Sequence, residues 1–107
     1  MSKENIERVA SDIHKIAVSK GFWEGKRSDG ECIALIHSEL SECLEALRNG
    51  NPPSKKISGF SHAEEELADV IIRCLDFAEA KGWDIEGAIF RKISYNARRP
   101  YKHGKKF

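Results

Sequence analysis

HSELSECLEAL, residues 37–47, places Glu39, Glu42 and Glu45 in a stretch that otherwise reads as a buried helix. Around it Ile33, Ile36, Leu40, Cys43 and Leu47 recur at three- and four-residue steps, the period of a helix with one apolar stripe. The helix runs from near Asp29 to Arg48, and NGNPPSKKISG (49–59) ends it with glycine and two prolines.

The same period is found on both sides of this stretch. A first helix runs from about Ser2, a good N-cap residue, through Ile6, Val9, Ile13 and Ile16 to stop near Gly21, and the polar GFWEGKRSDG (21–30) follows. A third begins at the cap Ser61, carries Leu67, Val70, Ile71, Cys74 and Ala78, and meets Gly82 where a C-terminal glycine belongs. Asp84 caps a fourth helix on Ile85, Ile89 and Ile93, and Pro100 limits its continuation. No strand pattern, internal repeat or low-complexity segment competes. The expectation is an all-α four-helix bundle forming a single domain over residues 1–107, with a basic tail from about residue 98.

Composition agrees with that class: among 107 residues 40% are apolar and 33% charged, a soluble folded mixture. The longest apolar run, Cys32 to Ile36, is far shorter than the roughly 20 residues of a spanning helix, and the charged start MSKENIERVASD lacks a signal-peptide core. A cytoplasmic protein with no membrane partner is expected. Cys32, Cys43 and Cys74 are odd in number, lack metal-type spacing and fall at helical core positions, so they read as small buried hydrophobes.

The charges are segregated along the chain. Residues 31–90 carry 12 acids and 5 bases, whereas residues 91–107 carry 7 bases and no acid. The acids have a geometric logic. At about 100° per residue, the apolar seam of the second helix centres roughly 70° to one side of Glu39, with Glu42 about 60° to the other. The third helix repeats the arrangement with Glu66 and Asp69. If the two seams face each other in antiparallel helices, the four carboxylates Glu39, Glu42, Glu66 and Asp69 converge. Acids so gathered repel and are costly to desolvate without a cation, and an all-oxygen ligand set favours Mg²⁺, with Mn²⁺ as a substitute. Glu45, Glu64, Glu65 and Asp76 read as solvated surface.

In the fourth helix Lys92 and Asn96 continue the line of Ile85 and Ile89 and are expected to point toward the bundle. Tyr95, Arg98, Arg99, Tyr101 and Lys102 follow at once, a cluster suited to a polyphosphate.

SELSECLEAL (38–47) followed by EEELADVIIRCLDFAEAKGWDIEGAIFRKISYNARRPYKHGK (64–105) resembles the MazG-like all-α nucleoside triphosphate pyrophosphohydrolases. Their signature is E-x-x-E on one helix, E-x-x-D on the next, then K-x-x-x-N with basic residues after it, and the likeness spans about residues 6–104. The resemblance implies Glu39, Glu42, Glu66 and Asp69 as Mg²⁺ ligands, with Glu42 or Glu39 taking the proton of an attacking water. It implies Lys92, Asn96, Tyr95, Arg99 and Lys102 as phosphate contacts. The spacing of His14 and Trp23 is similar to the base-recognising pair of the deoxycytidine triphosphate pyrophosphatase branch. The implied reaction cleaves a (deoxy)nucleoside triphosphate between its α and β phosphates, giving monophosphate and pyrophosphate, with pool cleansing as the role it suggests. The implied assembly is a homotetramer built from dimers, with a dimer second and no stable nucleic-acid partner. One departure is Ser38, where many members carry a further glutamate, so no role for that acid transfers.

Two other classes account for part of the pattern. A helical nucleic-acid-binding module explains the basic tail but not the acid cluster, and an antitoxin-like interaction protein explains a helical dimer but not an inward Lys92 and Asn96.

Overall fold

Ser28 and Ser61 each open a helix with the same reciprocal device. Each side chain accepts the backbone N–H three residues on, and Glu31 and Glu64 bond back to the cap's own N–H, which satisfies two orphan donors at each start. The computed structural model describes residues 3–107, with side chains from Asn5 onward. It contains α1 (Lys3–Ser19), α2 (Asp29–Arg48), α3 (His62–Lys81) and α4 (Ile85–Ala97), then a 3-10 turn over Tyr101–Gly104. The expected cap at Ser2 lies outside the described residues. Asp84 caps α4 through the Gly87 N–H at 2.9 Å, and Gly82 closes α3 in the left-handed region at φ +71°. Among the described residues an isolated Pro53 to Ser61 bridge is the only extended pairing, so the all-helical expectation holds.

Three cross-contacts fix the direction of α2 against α3. Lys81 donates to Asp29, Arg73 donates to Glu39, and the Cys43 thiol approaches the Ala63 carbonyl, so numbering falls on one helix as it rises on the other. The pair is antiparallel. α1 packs on the other side of α3, where His14 meets Asp76, and α4 touches α1 and α3 more lightly. The 49–61 connection is long, but it is pinned. Asn51 bonds back to the Ala46 carbonyl and accepts the Ala63 N–H, and Ser54 N–H bonds the Phe60 carbonyl. That closure carries Ser54 and Lys56 over the start of α3, where both reach Glu65.

The rotational setting of the helices differs from the expected one. The buried apolar positions are small or few, namely Ala10, Cys32, Ala46, Ala63, Leu75 and Ala78. Leu40 and Leu47 of α2 and Leu67 of α3, expected in the facing seams, are exposed, as are Ile33 and Ile71 of the same apolar stripes. The buried or half-buried stripe of α2 runs through Cys32, Ile36, Glu39, Cys43 and Ala46 instead, so the acids lie in the helix boundary itself. Cys74 is exposed and Cys43 half-buried, which leaves only Cys32 as the buried thiol expected of all three. The cause is a shortage of cover, since three helices in a layer and a lightly attached fourth leave the outer apolar faces without a partner. The radius of gyration, 16.1 Å, exceeds the roughly 13 Å of a compact chain near this length. No described helix is long and apolar enough to cross a membrane.

Candidate active site

E-x-x-D on α3 places Glu66 and Asp69 on one face, one turn apart, and antiparallel packing brings Glu39 of α2 against them. One carboxylate oxygen from each of Glu39, Glu66 and Asp69 lies within 4.8 Å of the others. Glu66 is only 7% exposed, and Glu39 and Asp69 are half-buried. Burial raises the Glu66 pKa, reinforced by a hydrogen bond with Glu39 and by the charges of Glu39, Glu65 and Asp69. Asp69 is raised for like reasons, desolvation first and then Glu39 and Glu65, with Lys56 and Arg73 opposing. Such a group holds excess negative potential in a partly dry setting, and an oxygen-preferring divalent cation fits it. The chain supplies partial compensation of its own: Arg73 Nε donates to Glu39 Oε1 at 3.2 Å, and His62 Nε2 lies 3.2 Å from Glu66 Oε1.

Three of the four expected ligands therefore converge. Glu42 is exposed and stands outside the group, because the inward line of α2 runs through Ile36, Glu39, Cys43 and Ala46 and Glu42 lies off it on the solvent side. Two acids expected at the surface are buried. Glu65 accepts Ser54 Oγ at 2.7 Å with Lys56 Nζ 3.7 Å away, and Asp76 is 8% exposed.

Asp76 organises the other half of the site. His14 Nδ1 donates to Asp76 Oδ1 at 2.7 Å, and Trp23 Nε1 is shared between both carboxylate oxygens at 3.0 Å. His14 and Trp23, paired by the family likeness, thus do meet, with ring centroids 5.7 Å apart. His14 Nδ1 and Trp23 Nε1 are engaged internally, and the Arg27 guanidinium lies over the Trp23 ring at 4.6 Å.

A groove of about 480 Å³ joins the two halves. Its acids are Glu39, Asp69 and Asp76, its bases Lys20, Arg27, Lys56 and Arg73, and its apolar wall Ile13, Ile16, Ala17, Phe22 and Ile72. Phe22 is exposed, and it is this aromatic side chain, next to Trp23 in sequence, that lines the groove. The bases of α4 do not line it. Lys92 is exposed and stacks on Tyr95 at 4.6 Å, with Arg99 5.6 Å from the same ring, and Lys102 lies by Tyr101. Asn96 is half-buried, with its Oδ1 unpaired among the described residues. The inward Lys92 expected from the helical line is corrected, because α4 leans on α1 and α3 through light contacts and leaves this face open.

Sequence reading missed Arg27, Lys56, Arg73 and the burial of Asp76. Only Arg73 left a signal, standing four residues after Asp69 on the same face. Compared with models of protein families, with curated proteins and with solved structures, the chain finds no match.

Proposed function

We propose that this chain is a divalent-cation-dependent nucleoside triphosphate pyrophosphohydrolase of the MazG-like kind, with the Glu39, Glu66 and Asp69 group as its metal centre. The observation that carries the reading is the meeting of three carboxylates from two antiparallel helices, beside a groove that also holds four bases and an apolar wall. Glu39, Glu66 and Asp69 would hold Mg²⁺ or Mn²⁺, which when bound neutralises phosphate charge and acidifies a water. Arg73, Lys56 and Arg27 offer positive charge along the groove to the non-bridging oxygens of a phosphate chain. The apolar wall with Phe22 offers a surface for a base. Of the two α2 carboxylates assigned to proton transfer, Glu39 lies within the carboxylate group and is engaged by Arg73, whereas Glu42 is exposed and stands outside that group.

Lys92, Asn96, Tyr95, Arg99 and Lys102 stay in the reading as phosphate contacts made across a subunit boundary, since they do not line their own chain's groove. A homotetramer of paired dimers, with a dimer as second choice, would bring them there and cover Leu40, Leu44, Leu47, Leu67 and Ile71. The test is incubation with individual (deoxy)nucleoside triphosphates and Mg²⁺ in ¹⁸O-labelled water. Pyrophosphate and monophosphate as products support the assignment, and orthophosphate with diphosphate, or no turnover, sinks it.

One observation favours a second reading, a helical nucleic-acid module: the stacked Lys92, Tyr95 and Arg99 and the basic tail form an exposed surface apart from the groove. Under that reading, removing Lys105 and Lys106 lowers oligonucleotide affinity and its salt slope. Under the hydrolase reading the same change leaves turnover intact, while Lys92→Ala weakens nucleotide binding or turnover about 10- to 100-fold.

A further inference from the structure

Of the two groove bases without an ion pair among the described residues, Lys20 is exposed and Arg27 is half-buried, so Arg27 is the one whose charge the protein leaves uncompensated away from full solvent. Arg73 is paired with Glu39 and Lys56 lies near Glu65, but Arg27 has no ion pair among the described residues. Its Nε is buried and lacks a hydrogen-bond partner among them. That buried nitrogen shows that the protein supplies no acceptor around the guanidinium, and the terminal nitrogens, likewise unbonded among the described residues, are the donors that a groove anion can reach. Asp76, the acid that lines the narrow recess with Arg27, is committed elsewhere, since both its oxygens accept Trp23 Nε1 and one also accepts His14. That commitment has a geometric result. Asp76 fixes the edge of the Trp23 ring, and the ring face carries the Arg27 guanidinium at 4.6 Å. The line of support runs from α3 through an indole to a guanidinium that lines both the main groove and a narrow recess shared with Arg73 and Asp76.

We infer that Arg27 forms an anion subsite for a phosphoryl group, with Trp23 and Asp76 as the positioning residues that hold it. A guanidinium stacked on an aromatic ring and offered edge-on suits bidentate bonds to two phosphoryl oxygens. Across the groove Glu39 and Asp69 repel a bare anion, so a cation held there would admit one end of a phosphate chain while Arg27 takes the other. The assignment differs from the family-like phosphate contacts of α4. It rests on reading the groove as a site for phosphorylated ligands, and turnover is not needed to test it.

The probe is inorganic pyrophosphate, titrated by calorimetry into the full chain with Mg²⁺ present. Arg27→Gln should weaken binding about 10- to 100-fold, the loss of one or two charge-assisted hydrogen bonds, and Arg27→Lys should recover part of it. In a Trp83→Phe background, pyrophosphate should perturb Trp23 fluorescence, and Arg27→Gln should abolish that change. Circular dichroism confirms the fold of each variant. Equal binding by wild type and Arg27→Gln, or no pyrophosphate binding by wild type, overturns the inference. Arg27-dependent binding without nucleotide hydrolysis would keep the subsite and discard the enzyme reading, whereas hydrolysis with Arg27-independent binding would do the reverse.

Discussion

Arg73 of α3 donates through Nε to Glu39 of α2 at 3.2 Å, so the carboxylate group at the helix boundary contains a cation of its own. The bond joins residues 34 apart and is part-buried. It offsets repulsion within the group when no metal is held, and it competes for Glu39 when one is. Arg73→Gln should therefore destabilise the metal-free protein by about 1 kcal/mol and raise its Mg²⁺ affinity severalfold. Chemical denaturation in EDTA and metal titration by calorimetry check the two halves, and a drop in affinity would contradict the competition.

Removing a ligand should separate fold from activity. Glu39→Gln or Asp69→Asn abolishes metal-dependent turnover while circular dichroism shows the helices intact, because each change removes charge without changing volume. Full activity of either variant at saturating Mg²⁺ would refute the metal-centre assignment.

The raised pKa values of Glu66 and Asp69 give stability a definite pH dependence. Both groups bind protons more tightly in the folded chain than at their ordinary values of 4.5 and 3.8. The folded state thus holds more protons than the unfolded one between those values and the raised ones, and this pair's contribution to stability falls as pH rises through that window. Mg²⁺ should reverse the loss, by binding the ionised group. Thermal melts across pH in EDTA and in Mg²⁺ should diverge upward from the carboxylate range, and Glu66→Gln should reduce the divergence, leaving the part due to Asp69.

Asp76 is predicted to matter more to folding than any exposed acid. Asp76→Ala leaves the His14 and Trp23 donors without their acceptor in a part-buried site, at a cost of about 2–4 kcal/mol. Glu45, whose carboxylate is 60% exposed and 3.9 Å from Arg48, serves as the comparison, with Glu45→Ala within about 0.5 kcal/mol of wild type. Urea denaturation of both variants gives the contrast.

The outer face of α2 and α3 is where self-assembly is expected. Leu40 and Leu44 of α2 and Ile71 of α3 are each close to half exposed, a cost that burial against a second copy would relieve. Leu44→Lys should shift the protein toward monomer in light scattering, and a wild-type monomer at micromolar concentration would exclude the tetramer.

Helix number, helix limits and the caps Ser61 and Asp84 are written locally, in a 3.6-residue period and in turn chemistry that the chain cannot satisfy otherwise. The meeting of Glu39 with Glu66 and Asp69 is also legible there, because antiparallel helices with matched acid spacing bring those positions to one side. Periodicity gives each helix a phase about its own axis but does not say how far neighbours rotate against one another. The apolar residues here are numerous enough to offer more than one face. Tertiary packing made that choice, and with it buried Glu65 and Asp76, turned Glu42 and Lys92 outward, and lent Glu39 the charge of Arg73. Asp76 meets partners 53 and 62 residues away, a relation with no local pattern, fixed only when α1, its following loop and α3 close around one carboxylate.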